Sequence, residues 1–215
     1  MKKLISLLVA SFMLMSVVVV SATELTKEQQ ADLYSYGIMV GDENGDLRLN
    51  DTITRAETVK MICCAGNIDI SSNDNLSSDK FFKDIPQNHW AIKYINSVKT
   101  VGIIDGNEND NFKPEDEITY YEIIKMIVSV LGYRPVADAR GGYLMVATQL
   151  GLTKSLSIKY ESVASRNDVA ILISNALDIP IMQQTSFSEN AEYQVMNGKN
   201  GTKLITLRSI LNETK

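Results

Sequence analysis

Ile53-Thr54-Arg55-Ala56-Glu57 recurs downstream in two altered copies, and each copy opens a helical pattern. Thr54 has the chemistry of a helix N-cap, its hydroxyl accepting from a backbone N–H one turn ahead, while the Glu57 carboxylate can reach back and accept from the amide of Thr54. Arg55 has no part in that capping box. It sits on the first turn, where free amides and the positive end of the helix dipole already favour an anion. A cation there asks for one of two things: a surface ion pair to an acid such as Asp51, worth about 0–1 kcal/mol, or an anionic ligand.

Sliding the chain against itself by 65 residues lays Gly37–Ile62 over Gly102–Ile127 with 12 identities in 26 positions and no gap. The identities bracket a loop (Gly37/Gly102, Gly41/Gly106, Glu43/Glu108, Asn44/Asn109) and then cap and continue a helix (Thr54/Thr119, Glu57/Glu122, Lys60/Lys125). A third copy runs from Tyr143 through Gly151 to Ala164-Ser165-Arg166-Asn167-Asp168, with Ser165 and Asp168 as its capping pair. After each start the apolar spacing is helical: Val59, Ile62 and Cys63; Ile124, Ile127, Val128 and Leu131; Val169, Leu172, Ile173 and Ala176.

Leading helices are predicted over Leu25–Tyr36, Trp90–Val101 and Arg140–Leu150, each closed by a glycine at Gly37, Gly102 or Gly151. A unit is thus helix, loop, capped helix, and three such units must share one core because neither helix can bury its stripe alone. The expected division is a leader over 1–22, unit one over 23–70, a polar linker over 71–79, unit two over 80–135, unit three over 136–183 and a tail over 184–215 outside the repeat. In the tail, Tyr193–Met196 and Lys203–Leu207 flank a turn at Asn197–Gly201 and predict a small β-hairpin. The fold class is mainly α, a pseudo-threefold bundle of helix-loop-helix units with that hairpin.

Met1-Lys2-Lys3, the apolar run Leu4–Val20 and the small residues ending at Ala22 read as a secretory signal peptide, with an uncleaved membrane anchor as the alternative. No cysteine follows to take a lipid, and no second domain is evident for the repeats to carry. Losing Lys2 and Lys3 with the leader takes the formal net charge from −5 to −7, which gives no general attraction to a polyanion. Nucleic acid is therefore not an expected partner, and no membrane contact is expected after signal cleavage. Cys63 and Cys64 are adjacent in a helix, where a mutual disulfide is geometrically unfavourable, so they read as small packing residues.

Asp42-Glu43-Asn44-Gly45-Asp46 begins like a calcium loop, but Leu47 stands where glycine is required and Ile53 where the bidentate Glu belongs. It reads as a turn. His89 is the single histidine and no nucleophile or glycosidase pattern is present, so no catalytic residue, metal or cofactor is assigned and the chain is expected not to be an enzyme.

Phe82-Lys83-Asp84-Ile85-Pro86, His89-Trp90-Ala91, Gly102-Ile103-Ile104, Asn111-Phe112-Lys113-Pro114 and Ile53–Glu57 together resemble the S-layer homology family over residues 25–182. The resemblance implies a three-repeat helical domain that holds exported proteins non-covalently on bacterial cell walls. It also implies a ligand, a secondary cell-wall polysaccharide often bearing pyruvate ketals, held in grooves between repeats by the signature arginine and an aromatic. Carried onto this chain, Arg55 and Arg166 match the signature arginine, Trp90 matches the aromatic, and Arg48 and Lys113 are further candidates at matching loop positions. Unit two departs, with Tyr120 in the arginine's place, and Leu25 and Ala139 stand near the tryptophan's place in units one and three. Trp90 has a second reading as the core anchor of its helix. The expected protein is secreted and wall- or S-layer-associated; the alternative is a secreted structural or interaction protein whose repeats no longer bind polymer.

Overall fold

The computed structural model describes residues 23–70, 81–106, 109–186, 192–198, 201 and 203–214; the expected leader at 1–22 and linker at 71–79 fall outside them. The described residues form α1 (Lys27–Ser35), α2 (Arg55–Ala65), α3 (Ile92–Thr100), α4 (Tyr120–Val130), α5 (Arg134–Arg140), α6 (Tyr143–Gln149), α7 (Arg166–Ala176) and α8 (Leu207–Glu213), with strands β1 (Met182–Gln184) and β2 (Tyr193–Val195). The fold is mainly helical with one small antiparallel hairpin, in agreement with the sequence.

The capped helices α2, α4 and α7 start side by side. Thr54 pairs with Glu117, Thr119 with Val163 and Thr52 with Ser165, each as a single antiparallel bridge. Ile118 N donates to Ile53 O (3.0 Å) and Ala164 N to Ile118 O (2.9 Å), and Ile53, Ile118 and Ala164 are all fully buried. These three residues line a pseudo-threefold junction at which each unit touches the other two.

That junction also settles where the first-turn amides go. Arg55 N, Tyr120 N and Arg166 N donate to Asp116 O, Ser162 O and Asp51 O, while Ala56 N, Tyr121 N and Asn167 N donate to Pro114 O, Tyr160 O and Leu49 O, at 2.9–3.1 Å. Each helix start is thus satisfied by the loop of a neighbouring unit. The sequence reading offered these amides to an anion; in the structure they are already engaged, and the helix starts are joints.

The leading helices begin later than the apolar spacing suggests. Leu25 is buried, its amide held by Asn167 Oδ1 at 3.0 Å, and α1 starts only after the N-cap Thr26, which forms a capping box with Gln29. In unit two the Ala91 amide donates to His89 Nδ1 (3.1 Å), so the chain turns through Trp90 before α3 begins at Ile92. Trp90 is consequently 52% exposed and does not anchor the core. The loop before α4 is built on Asp84, whose two oxygens accept from Phe112 N (2.8 Å) and Lys113 N (2.6 Å) while Phe82 and Phe112 pack together underneath.

The tail is attached more closely than expected. β1 pairs with β2 in the register Met182↔Val195, and the anticipated second arm supplies only the bridges Asn197↔Leu204 and Pro180↔Thr206. The reason is local: Thr206 and Ser209 form a capping box, so Leu207 opens α8 instead of continuing a strand. Leu207 and Leu211 are buried, and Arg208 donates to Asp178 on one side (2.6 and 3.0 Å) and Asp32 on the other (2.6 Å).

Candidate functional site

At the three helix starts the residue after the cap reaches the acid one turn into a neighbouring helix. Arg55 Nη1 pairs with Glu122 Oε1, Tyr120 Oη donates to Asp168 Oδ2, and Arg166 Nη1 pairs with Glu57 Oε1 at 3.2 Å. Asp51, the acid anticipated for Arg55, instead pairs with Arg48 at 2.7 Å.

Two of the three acids serve twice. Glu57 Oε2 accepts from Thr54 N (3.0 Å) and Glu122 Oε2 from Thr119 N (3.0 Å), while Glu57 N and Glu122 N donate to the threonine hydroxyls, leaving each Oε1 for the arginine. Ser165 Oγ accepts from Asp168 N (3.1 Å), but the oxygens of Asp168 are engaged by Tyr120 and by Asn167 Nδ2. Burial, reinforced by the hydrogen bond to Asp168, pushes the Tyr120 phenol well above its ordinary value.

Both arginine side chains are 13% exposed and fixed by a second bond, Arg55 Nε to Phe112 O (2.8 Å) and Arg166 Nε to Leu47 O (3.1 Å). Arg55 also lies 4.7 Å over the Phe112 ring. With Nε committed, each guanidinium can meet a ligand only by its outer end.

Two grooves open beside these arginines, and the 65-residue offset superimposes them. Groove one, about 280 Å³, runs between the Ile38–Asp42 loop, Arg48 and α2, and is closed by Arg166 from unit three and Trp90 from unit two. Groove two, about 470 Å³, runs between the Ile103–Gly106 loop, Lys113 and α4, and is closed by Arg55. The candidates Arg48, Trp90 and Arg166 therefore come together in groove one, while Arg55 and Lys113 come together in groove two. Arg48 and Lys113 both take the left-handed backbone conformation (φ 53° and 60°), which turns the two loop cations alike.

Sequence reasoning passed over Lys60 and Lys125, which line the grooves one turn beyond Glu57 and Glu122. Their signal was present as an identity between copies at a position that the cap does not need. It also passed over Tyr121 in groove two, which packs edge-on against Tyr160 with ring centres 4.6 Å apart. Lys159 is the loop equivalent of Arg48 and Lys113 in unit three, since Ser162 N donates to its carbonyl as Asp51 N and Asp116 N do to theirs.

In groove two Lys125 pairs with Asp105 (3.1 Å), which Arg134 also holds (2.9 Å). Burial works against the Asp105 carboxylate, but the hydrogen bonds from Lys125 and Arg134 prevail and hold it below the usual range. Burial pushes the Cys63 thiol up to about 12, away from reactive thiolate chemistry. Asp42 Oδ1 accepts from Asn44 N (2.8 Å) and Asp46 N (3.0 Å), which makes its loop a hydrogen-bonded turn.

Short helical units, joined where the side chain after each cap reaches into a neighbouring unit, with grooves at those joints, define a repeat-built helical module. The S-layer homology domain model matches residues 31–59 and 81–123, and the chain belongs to that family. It is 30% identical over 159 residues to a cell surface protein of Thermoanaerobacter kivui (74% of this chain, 21% of that protein). It is 26% identical over 210 residues to the middle cell wall protein of Brevibacillus brevis (91% and 20%). An endoglucanase of a Bacillus species is 29% identical over 102 residues (47% and 10%). The chain spans about a fifth or less of the length of these relatives.

Proposed function

We propose that the chain is a non-catalytic module that attaches to the cell wall by binding an anionic secondary cell-wall polysaccharide in the grooves between its units. Membership of the S-layer homology family supports a secreted, wall-associated protein with an anchoring role. The observation that carries the finer reading is the gathering, in groove one, of two arginines, a lysine and an exposed indole contributed by three different units. A pyruvate ketal offers one carboxylate, to which the cations of this groove can donate hydrogen bonds, while a pyranose ring stacks on the indole.

The test is co-sedimentation of the leaderless protein with purified wall sacculi, untreated, stripped of secondary polymer, or freed only of pyruvate. Binding lost on stripping supports polymer recognition, and binding lost on pyruvate removal supports the carboxylate as its anchor. Equal sedimentation with stripped sacculi overturns the reading. Tyr120 in place of an arginine favours the second reading, a surface protein whose repeats no longer bind polymer, and failure to sediment with any sacculi would establish it. The similarity to an endoglucanase is met by assaying the purified chain on wall glycan, where no hydrolysis is expected.

A further inference from the structure

The two grooves are equivalent in backbone and differ in charge. Position 60 in groove one and position 125 in groove two are both lysine, yet they face different neighbours. Lys125 is neutralised by Asp105, and every other cation in groove two is also paired: Arg55 with Glu122, and Lys113 with Asp116 at 3.4 Å. The residue 65 positions before Asp105 is Val40, 45% exposed on the rim of groove one. Lys60 is half-buried there, and no carboxylate among the described residues forms an ion pair with it. Arg48 and Arg166 in the same groove are bound to Asp51 and Glu57. Lys60 is thus a half-buried lysine with no ion-pair partner among the described residues, in a groove that it shares with Asp42, Asp46 and an exposed indole, and its ammonium is open to an anionic ligand.

We propose that groove one is the working groove, that Lys60 makes the primary contact to the ligand's carboxylate, and that Val40 in place of an acid is what keeps this lysine available. In groove two the same lysine is silenced from within by Asp105. The inference rests on the proposed function and adds which groove is used and which residue selects it. Arg166 then acts as a positioning residue, holding the wall of the groove against α2 through Glu57, while Trp90 carries the sugar face.

Trp90 is the single tryptophan of the chain, so its emission reports occupancy of groove one directly. The probe is a methyl glycoside carrying one pyruvate ketal, with the same glycoside lacking the ketal as control. Binding is measured by calorimetry and by Trp90 fluorescence. Wild type is expected to bind the ketal with a change in emission. Val40→Asp places a carboxylate beside Lys60 at an exposed site and is expected to weaken binding about tenfold or more, as Lys60→Met does. Asp105→Val added to Val40→Asp is expected to restore calorimetric binding through Lys125 while Trp90 emission stays silent. Binding by wild type that is unchanged in both Val40→Asp and Lys60→Met overturns this inference and leaves the proposed function standing. No binding of the ketal by wild type, on a probe matched to sacculi that do bind, overturns the carboxylate reading and this inference together.

Discussion

Position 120 separates what a helix start needs from what its neighbour needs. The cap at Thr119 is complete with a tyrosine after it, and the tyrosine still crosses to Asp168 as the arginines cross to Glu122 and Glu57. Tyr120→Phe removes the only donor from Tyr120 to that carboxylate, and a hydrogen bond to a charged group is worth about 1.5–3 kcal/mol, so urea unfolding should show a loss at or below that range. The phenol's raised pKa gives the change a pH signature. A group whose folded pKa lies above its unfolded value contributes stability that is fully present below the unfolded value, about 10 for tyrosine, and is lost as pH rises through the folded value. Tyr143, raised to about 12 by burial and by its bond to Asp138, behaves in the same way. The wild-type protein should therefore lose stability above about pH 10, and Tyr120→Phe should lose less of it in that window; equal alkaline slopes would remove Tyr120 from the account. The cap and the departure at Tyr120 were legible because they depend on residues a turn apart, whereas Lys60 and Lys125 showed only as an identity between copies and were not singled out. The partner of Arg55 was not, since Glu122 lies 67 residues away and only closure of the three units brings it near.

Among the elements, the capped helices were the most readable, because a cap and an apolar stripe are both local. The leading helices were misread at their starts, where Leu25 and Trp90 continue the apolar spacing but lie before the helices, Leu25 held by Asn167 and Trp90 in a turn that His89 closes. α5 escaped notice because seven residues are too few to show a period, and its start at Arg134-Pro135 reads as a break. The join between α4 and β1 rests on Gly132, whose φ is +82° and whose missing Cβ would lie 1.9 Å from Met182 O. Met182 N donates to Leu131 O at 2.9 Å across the same contact. Gly132→Ala must therefore push the β1 strand away as well as strain the backbone, and a loss well above about 1 kcal/mol is expected. Hydrogen exchange should locate it, with the amide of Met182 deprotected and those of α2 still slow. Uniform loss of protection across all helices would instead make this glycine a support for the whole core.

At the scale of the molecule the units are tied together by contacts that no single unit contains, and the tail fastens α8 across α1 and α7 through Arg208. Sequence periodicity could group the apolar faces of the capped helices, but it could not show that the tail joins them, because Arg208 finds Asp32 and Asp178 only after α1 and α7 have packed. Closure has a thermodynamic consequence that separates it from a row of stacked repeats. In a row, each joint is broken independently, and removing two costs the sum of removing each. In a closed ring, one broken joint leaves the units held through the other two, so the first cut is cushioned and the second is not. Arg55→Ala and Arg166→Ala each open one joint, and as partly buried pairs each should cost about 1–3 kcal/mol, below the range for fully buried pairs. The two sites share no direct side-chain partner, Arg55 binding Glu122 and Arg166 binding Glu57, so a local model predicts additivity within about 0.5 kcal/mol. The double variant is expected to lose more than the sum of the singles by about 1 kcal/mol or more, read from urea midpoints with the m-value held. An additive double variant would show that the three units stack as independent neighbours, and that the grooves at their joints open one at a time.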